Sequence, residues 1–254
     1  MDLEANMFSN RFQWILVFLQ VTVLCASAQS VGIRDGRPPT TEERLKRHNV
    51  ASNTPALVQA LRNPDSEVRY LAAQKLAEDK NKDAIPEIIR ALDSETVPAT
   101  HINIAFALAQ LGDDRGFTAL SKSCDDQKIQ AGLRVRAAGY LLNLNNESCL
   151  RAVMAVLQSD ADFDSRMLGL SLLGRFHRVS DEDSKSMCAA AVQALTDPTP
   201  AVRISASTAL VALGNPAAIP ALERAVDSET DQAVKNQMKS NLERLQQSHP
   251  PGGF

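Results

Sequence analysis

A leucine returns at Leu76, Leu108, Leu141, Leu173, Leu210 and Leu242, at intervals of 32, 33, 32, 37 and 32 residues. A fixed period in the thirties is the mark of a stacked array of small units rather than of one folded core. Each unit of this length holds two helices, which predicts an all-α solenoid of about six two-helix repeats. A lone pair of such helices cannot bury its apolar stripe, so stability must come from stacking on neighbours.

The interior of the unit follows from spacing. Its first helix carries apolar residues four apart: Leu57 and Leu61, Ile88 and Leu92, Leu120 and Cys124, Val153 and Leu157, Ala191 and Leu195, Leu222 and Val226. That spacing puts both side chains on one helical face. A polar turn then brings Asp65, Asp93, Asp125, Asp160, Asp197 or Asp227, residues that bond locally to the backbone, stop one helix and cap the next. The second helix runs to the recurring leucine and is rich in alanine, which lets neighbouring helices approach closely. Prolines at Thr54-Pro55, Ile85-Pro86, Thr199-Pro200 and Ile219-Pro220 mark helix starts, where a missing N–H costs nothing. No stretch alternates like a strand.

The pattern I-P-x-L-x-x-A-V-x-D, clearest at 219–227, and V-R-x-x-A-x-x-A-L-x-x-L-G, clearest at 202–214, resembles HEAT repeats, in particular the short bacterial repeats of phycobilin-lyase-type HEAT proteins. Leu133-Arg134, Ser165-Arg166 and Val234-Lys235 depart from the Val-Arg pair. In HEAT arrays the second helices line a concave side, which makes them the default partner surface.

Domain organisation is read as follows. Residues 14–28, WILVFLQVTVLCASA, are an apolar run ending in a small-residue cleavage site, so 1–28 reads as a signal peptide cut before Gln29. The run is short of the roughly 20 residues of a membrane span; an uncleaved anchor is the alternative. Residues 29–53 form a linker and a charged N-terminal capping helix, with Thr40 and Glu43 in capping-box spacing. The solenoid occupies 54–247, and 248–254 reads as a disordered tail.

Composition narrows the function classes. A net charge of −3, pI near 5.8 and 4% aromatic residues lack the basic stripe of a nucleic-acid binder. None of His48, His101, His177 and His249 precedes a glutamate, whereas the HEAT-like enzyme deoxyhypusine hydroxylase binds iron through His-Glu dipeptides. No G-x-S-x-G elbow, P-loop or Cys–His arrangement is found, so neither metal nor cofactor is expected. Beyond the signal lie Cys124, Cys149 and Cys188. They read as small buried hydrophobes, with Cys149 and Cys188 the best-placed pair for a disulfide in an oxidising compartment. Asp181, Glu182 and Asp183 fall in the longest connection and read as a solvated loop that feeds negative charge into the next helix N-terminus.

The candidate site residues form a basic ladder at one repeat position: Arg69, His101, Arg134, Arg166, Arg203 and Lys235. Such a ladder either meets an acidic partner or pairs internally, each base reaching the turn Asp of its own or the next repeat in the fork geometry that guanidinium and carboxylate share. The function expected is an exported, non-enzymatic scaffold binding a partner protein, with no nucleic acid and no membrane span after cleavage. The alternatives are a lyase-like accessory acting on a cofactor-bearing partner and a membrane-anchored spacer.

Overall fold

The computed structural model describes residues 37–159 and 161–248 of the 254-residue chain. The segment read as a signal peptide, Asp160 and the residues after Ser248 lie outside the described residues. The chain divides into two compact units, Met1–Thr40 and Thr41–Phe254. Of the first unit only 37–40 are described, and they lack regular secondary structure.

The described part of the second unit contains thirteen α-helices and no strand. Helix α1 (Thr41–Arg47) is followed by six pairs: α2 (Thr54–Ala60) with α3 (Ser66–Glu78), α4 (Ile85–Ser94) with α5 (Pro98–Gln110), α6 (Asp114–Asp125) with α7 (Ala131–Asn143), α8 (Leu150–Leu157) with α9 (Phe163–Leu173), α10 (Asp181–Ala194) with α11 (Pro200–Leu213), and α12 (Ile219–Ser228) with α13 (Gln232–Ser248). Each first helix packs on its own second helix, and the second helices pack on one another from α3 to α13. This is an α-solenoid.

The recurring leucine has two jobs. Its side chain is the core: Leu76, Leu108, Leu141, Leu173 and Leu210 are fully buried, and Leu242 in the last repeat is 9% exposed. Burial of each stabilises by about 1.5–3 kcal/mol. Its carbonyl closes the helix: Leu76 O accepts from Asn81 N, Leu108 O from Asp113 N and Leu141 O from Asn146 N. Four residues past the leucine the backbone turns left-handed, at Lys80, Gly112, Asn145 and Gly214, the arrangement that ends helices by a reversed residue. Glycine does this without steric cost at Gly112 and Gly214.

The same signature appears once more upstream. Leu45 is fully buried, its carbonyl accepts from Val50 N, and Asn49 has φ 57°. Helix α1 is therefore the second helix of a half-repeat, packed on α3 and tied to it by Thr41 Oγ1 donating to Glu78 and by Arg44 donating to Glu67 at 2.7 Å.

Four readings of the sequence need correction. Among the described turn residues only Asp65 caps a helix through its side chain as anticipated, accepting from Glu67 N. Asp93, Asp125 and Asp227 are still inside first helices, because those helices run one to two residues further. Asp181, Glu182 and Asp183 are the first turn of α10, capped by Ser180, whose Oγ accepts from Asp183 N at 3.0 Å; three acids there favour the helix dipole. Helix α13 also continues to Ser248.

The fourth correction is the disulfide. Cys124 pairs with Cys149, with Cα atoms 6.1 Å apart, and Cys188 is free and buried. Cys149 precedes the first residue of the short α8, whereas Cys188 lies deep in the long α10. The two are not at equivalent heights, and the end of α6 is what meets Cys149. Close approach recurs at Gly116, where a Cβ would lie 2.4 Å from Ala109 N, and at Gly174, 2.4 Å from Ala212 Cβ.

Candidate functional site: the basic ladder and the second-helix cleft

Ladder residues sit near the start of each second helix and turn toward the inter-helix bends. Arg69 donates Nε and Nη2 to the Glu95 carboxylate at 2.7 and 2.9 Å, and Nη1 to the carbonyls of Asn63 and Pro64. Arg203 repeats this with Glu229 at 2.6 and 3.0 Å and with the carbonyls of Asp197 and Pro198. Arg166 takes Asp197 of the following repeat at 2.9 and 3.2 Å and also donates to Ala161 O. The acceptors are well covered, with side-chain exposures of 0% for Glu95, 10% for Asp197 and 4% for Glu229.

The other three ladder positions differ. Arg134 donates Nε to Cys124 O at 2.8 Å; the turn residue Asp160 that follows lies outside the described residues. Lys235 reaches Asp227 O at 3.2 Å. His101 makes no such bond; it is half-buried in a cleft between α4 and α6. At the Asp197 bend Arg203 thus uses the carbonyl, and its carboxylate partner is Glu229.

Electrostatics follow the contacts. The Arg203 hydrogen bond holds the Glu229 carboxyl below its ordinary value. Burial alone would raise Glu95, but Arg69 and the backbone N–H groups of Val97 and Thr96 overcome it and the net direction is down. Burial pushes the His101 imidazole down, against the partial opposition of Glu95 and Asp93.

A different group of side chains gathers on the exposed side of the second helices. Tyr70 and Gln74 of α3, Asn103, Phe106 and Gln110 of α5, and Arg136 and Tyr140 of α7 line a cleft of about 410 Å³, closed at one end by Arg44 of α1. Phe106 and Tyr140 stack with ring centroids 4.1 Å apart. Tyr140 donates its hydroxyl to Asn103 Oδ1 at 2.9 Å, and burial raises its phenol above the ordinary value. Arg44 lies 5.3 Å over the Tyr70 ring and donates to its hydroxyl. Both tyrosines of the chain are here. Tyr70 directly follows the ladder residue Arg69, whereas Phe106 and Tyr140 stand two and one residues before their leucines and share no repeat position.

No group of three or more His, Cys, Asp or Glu side chains placed to hold a metal occurs among the described residues, and no described helix is long and apolar enough to cross a membrane.

Comparison with known proteins agrees with the geometry. No curated protein matches the sequence significantly. Among solved structures, a designed armadillo repeat protein is 19% identical, with 76% of this chain and all of that chain covered and a TM-score of 0.50. An engineered protein is 23% identical over 76% of this chain and 96% of its own, at a TM-score of 0.45. Human deoxyhypusine hydroxylase is 18% identical over 82% of this chain and 76% of its own, at 0.40. At 19% identity the likeness to the designed armadillo repeat protein speaks only to fold. The family model for HEAT repeats matches residues 54–138 and 150–243, well over half of the sequence. With a buried leucine closing each of six helix pairs, the chain belongs to the HEAT-repeat family.

Proposed function

We propose that the protein is an exported, non-enzymatic scaffold that binds a partner protein across α3, α5 and α7. A HEAT array suits protein interaction, because its stacked second helices present one continuous face. The observation that carries the reading is the division of labour among side chains. The ladder arginines Arg69, Arg166 and Arg203 are consumed by carboxylates and carbonyls of the array itself. The second-helix cleft instead concentrates tyrosine, phenylalanine and arginine, the residue types that dominate binding hot spots, in a chain with few aromatics.

Export is supported by the signal-like segment and by the Cys124–Cys149 disulfide, since structural disulfides persist in oxidising compartments. The test is quantitative capture from the exported fraction by the purified protein and by its Tyr70→Ala, Tyr140→Ala double variant. A single protein retained by the wild type and lost at least about thirtyfold by the variant, as hot-spot removal implies, supports the reading, provided the variant keeps its circular dichroism spectrum. Equal retention by both, or catalytic turnover with a chromophore or metal co-purifying, contradicts it.

A further inference from the structure

Four turn carboxylates along the array are built in one way. Glu95, Asp126, Asp197 and Glu229 each accept the backbone N–H two residues further on, from Val97 at 2.8 Å, Lys128 at 2.9 Å, Thr199 at 2.8 Å and Asp231 at 3.0 Å. Glu95, Asp126 and Glu229 also occupy the same place, directly after the last residue of a first helix. Three of the four hold a guanidinium from the preceding repeat: Glu95 takes Arg69, Asp197 takes Arg166 and Glu229 takes Arg203. Asp126 holds none among the described residues, because the ladder residue before it is His101. Its carboxylate is exposed, while the other three are covered.

The rest of the cradle is also in place. Arg69 and Arg203 give Nη1 to the carbonyls six and five residues before them. The corresponding carbonyls before His101 are those of Glu95 and Thr96, and neither accepts a hydrogen bond among the described residues. The cleft over this turn, lined by Glu95, Thr96, His101 and Asp126 over Ile89 and Ile129, measures about 630 Å³, against about 470 and 410 Å³ at the turns that hold Arg69 and Arg166.

We infer that this cleft receives the guanidinium of an arginine presented by a partner protein, which takes the place that the chain's own arginines occupy in the neighbouring repeats. The inference rests on the reading of the chain as a protein-binding scaffold and adds a second, chemically specific contact to it. Recognition comes from geometry more than from net charge, since Arg115, Lys122 and Lys128 line the same cleft as Asp93, Glu95 and Asp126. Arg115 is held by Asp113 at 3.1 Å. A planar fork serves one carboxylate and two carbonyls together; a lysine ammonium is a point charge that does not match that set.

The test is a ligand-observed NMR titration of the full chain with acetyl-Gly-Arg-Gly-amide and its citrulline and lysine counterparts. The arginine peptide is expected to bind at least tenfold more tightly than either counterpart. Asp126→Asn, at an exposed position, is expected to lose that preference while keeping the wild-type spectrum and unfolding midpoint. His101→Arg is expected to abolish binding by filling the cradle from within, and to raise the unfolding midpoint. Equal binding of the three peptides, no saturable binding of the arginine peptide, or wild-type binding and midpoint in His101→Arg would overturn the assignment. Failure here with capture through Tyr70 and Tyr140 intact removes this site alone; the reverse result removes only the aromatic surface.

Discussion

At Arg69 and Arg203 a single side chain joins three things: its own inter-helix bend, the next repeat, and the backbone turn that the acceptor carboxylate organises. Glu95 and Glu229 are nearly inaccessible, so losing the arginine would strand a buried carboxylate. Among the described residues, His101 is the ladder residue whose side chain has neither a carboxylate nor a carbonyl partner. Its folded pKa lies below the ordinary 6.5, so the unfolded chain binds the proton first as pH falls. Stability contributed by the neutral imidazole is therefore complete above about 6.5 and declines as pH drops below it. Urea midpoints measured from pH 7.5 to 5.5 are expected to fall more steeply for the wild type than for His101→Gln; parallel curves would show that His101 is not buried as described. The ladder was legible in the sequence, and Arg166 takes the turn Asp197 of the next repeat as expected, but Arg69 and Arg203 take glutamates instead of turn aspartates. Asp-Ser-Glu-Thr occurs at both 93–96 and 227–230, and the aspartate drew attention because aspartate dominates turns. The helix runs on through that residue, and the glutamate two places later reaches the arginine.

Among helices, the position four past each leucine records how the elements end. The sequence motif ending in Leu-Gly made Gly112 and Gly214 readable as helix stops. Lys80, Asn145 and Asn49 take the same left-handed backbone without glycine, so the half-repeat at α1 and its buried Leu45 were hidden behind a charged helix. Packing sets the energetics here. Leu210→Ala removes a fully buried side chain with repeats on both sides, and is expected to cost about 2–5 kcal/mol. Leu242, in the last described repeat and 9% exposed, packs against a repeat on one side among the described residues, so Leu242→Ala should cost less. Urea unfolding that gave equal losses at both positions would contradict a stacked array. Its neighbour Asn241 is fully buried and donates to Ser207 at 2.8 Å and Thr208 at 3.1 Å, a polar tie between α11 and α13 that no periodicity of apolar residues could announce.

For the whole molecule, stability is a sum over repeat interfaces rather than the property of one core, and the disulfide and the ladder both cross those interfaces. The Cys124–Cys149 bridge spans 25 residues of sequence. Replacing both cysteines by alanine is expected to lower stability by about 2–4 kcal/mol, read by urea unfolding under oxidising conditions; an unchanged midpoint would show that the bridge does not form. Cys188, whose thiol burial raises, should resist thiol reagents until the chain is unfolded. The ladder is the more general device, and its structural role is the central claim. The most direct measurement is a double-mutant cycle in urea with Arg203→Ala and Glu229→Gln, the glutamine retaining an oxygen for the turn N–H groups. Arg203→Ala alone is expected to cost about 1–3 kcal/mol, with a coupling energy of about 1–2 kcal/mol between the two positions. Wild-type stability in the single variant with additive effects in the double, accompanied by loss of partner capture, would instead make Arg203 a binding residue and contradict the structural ladder.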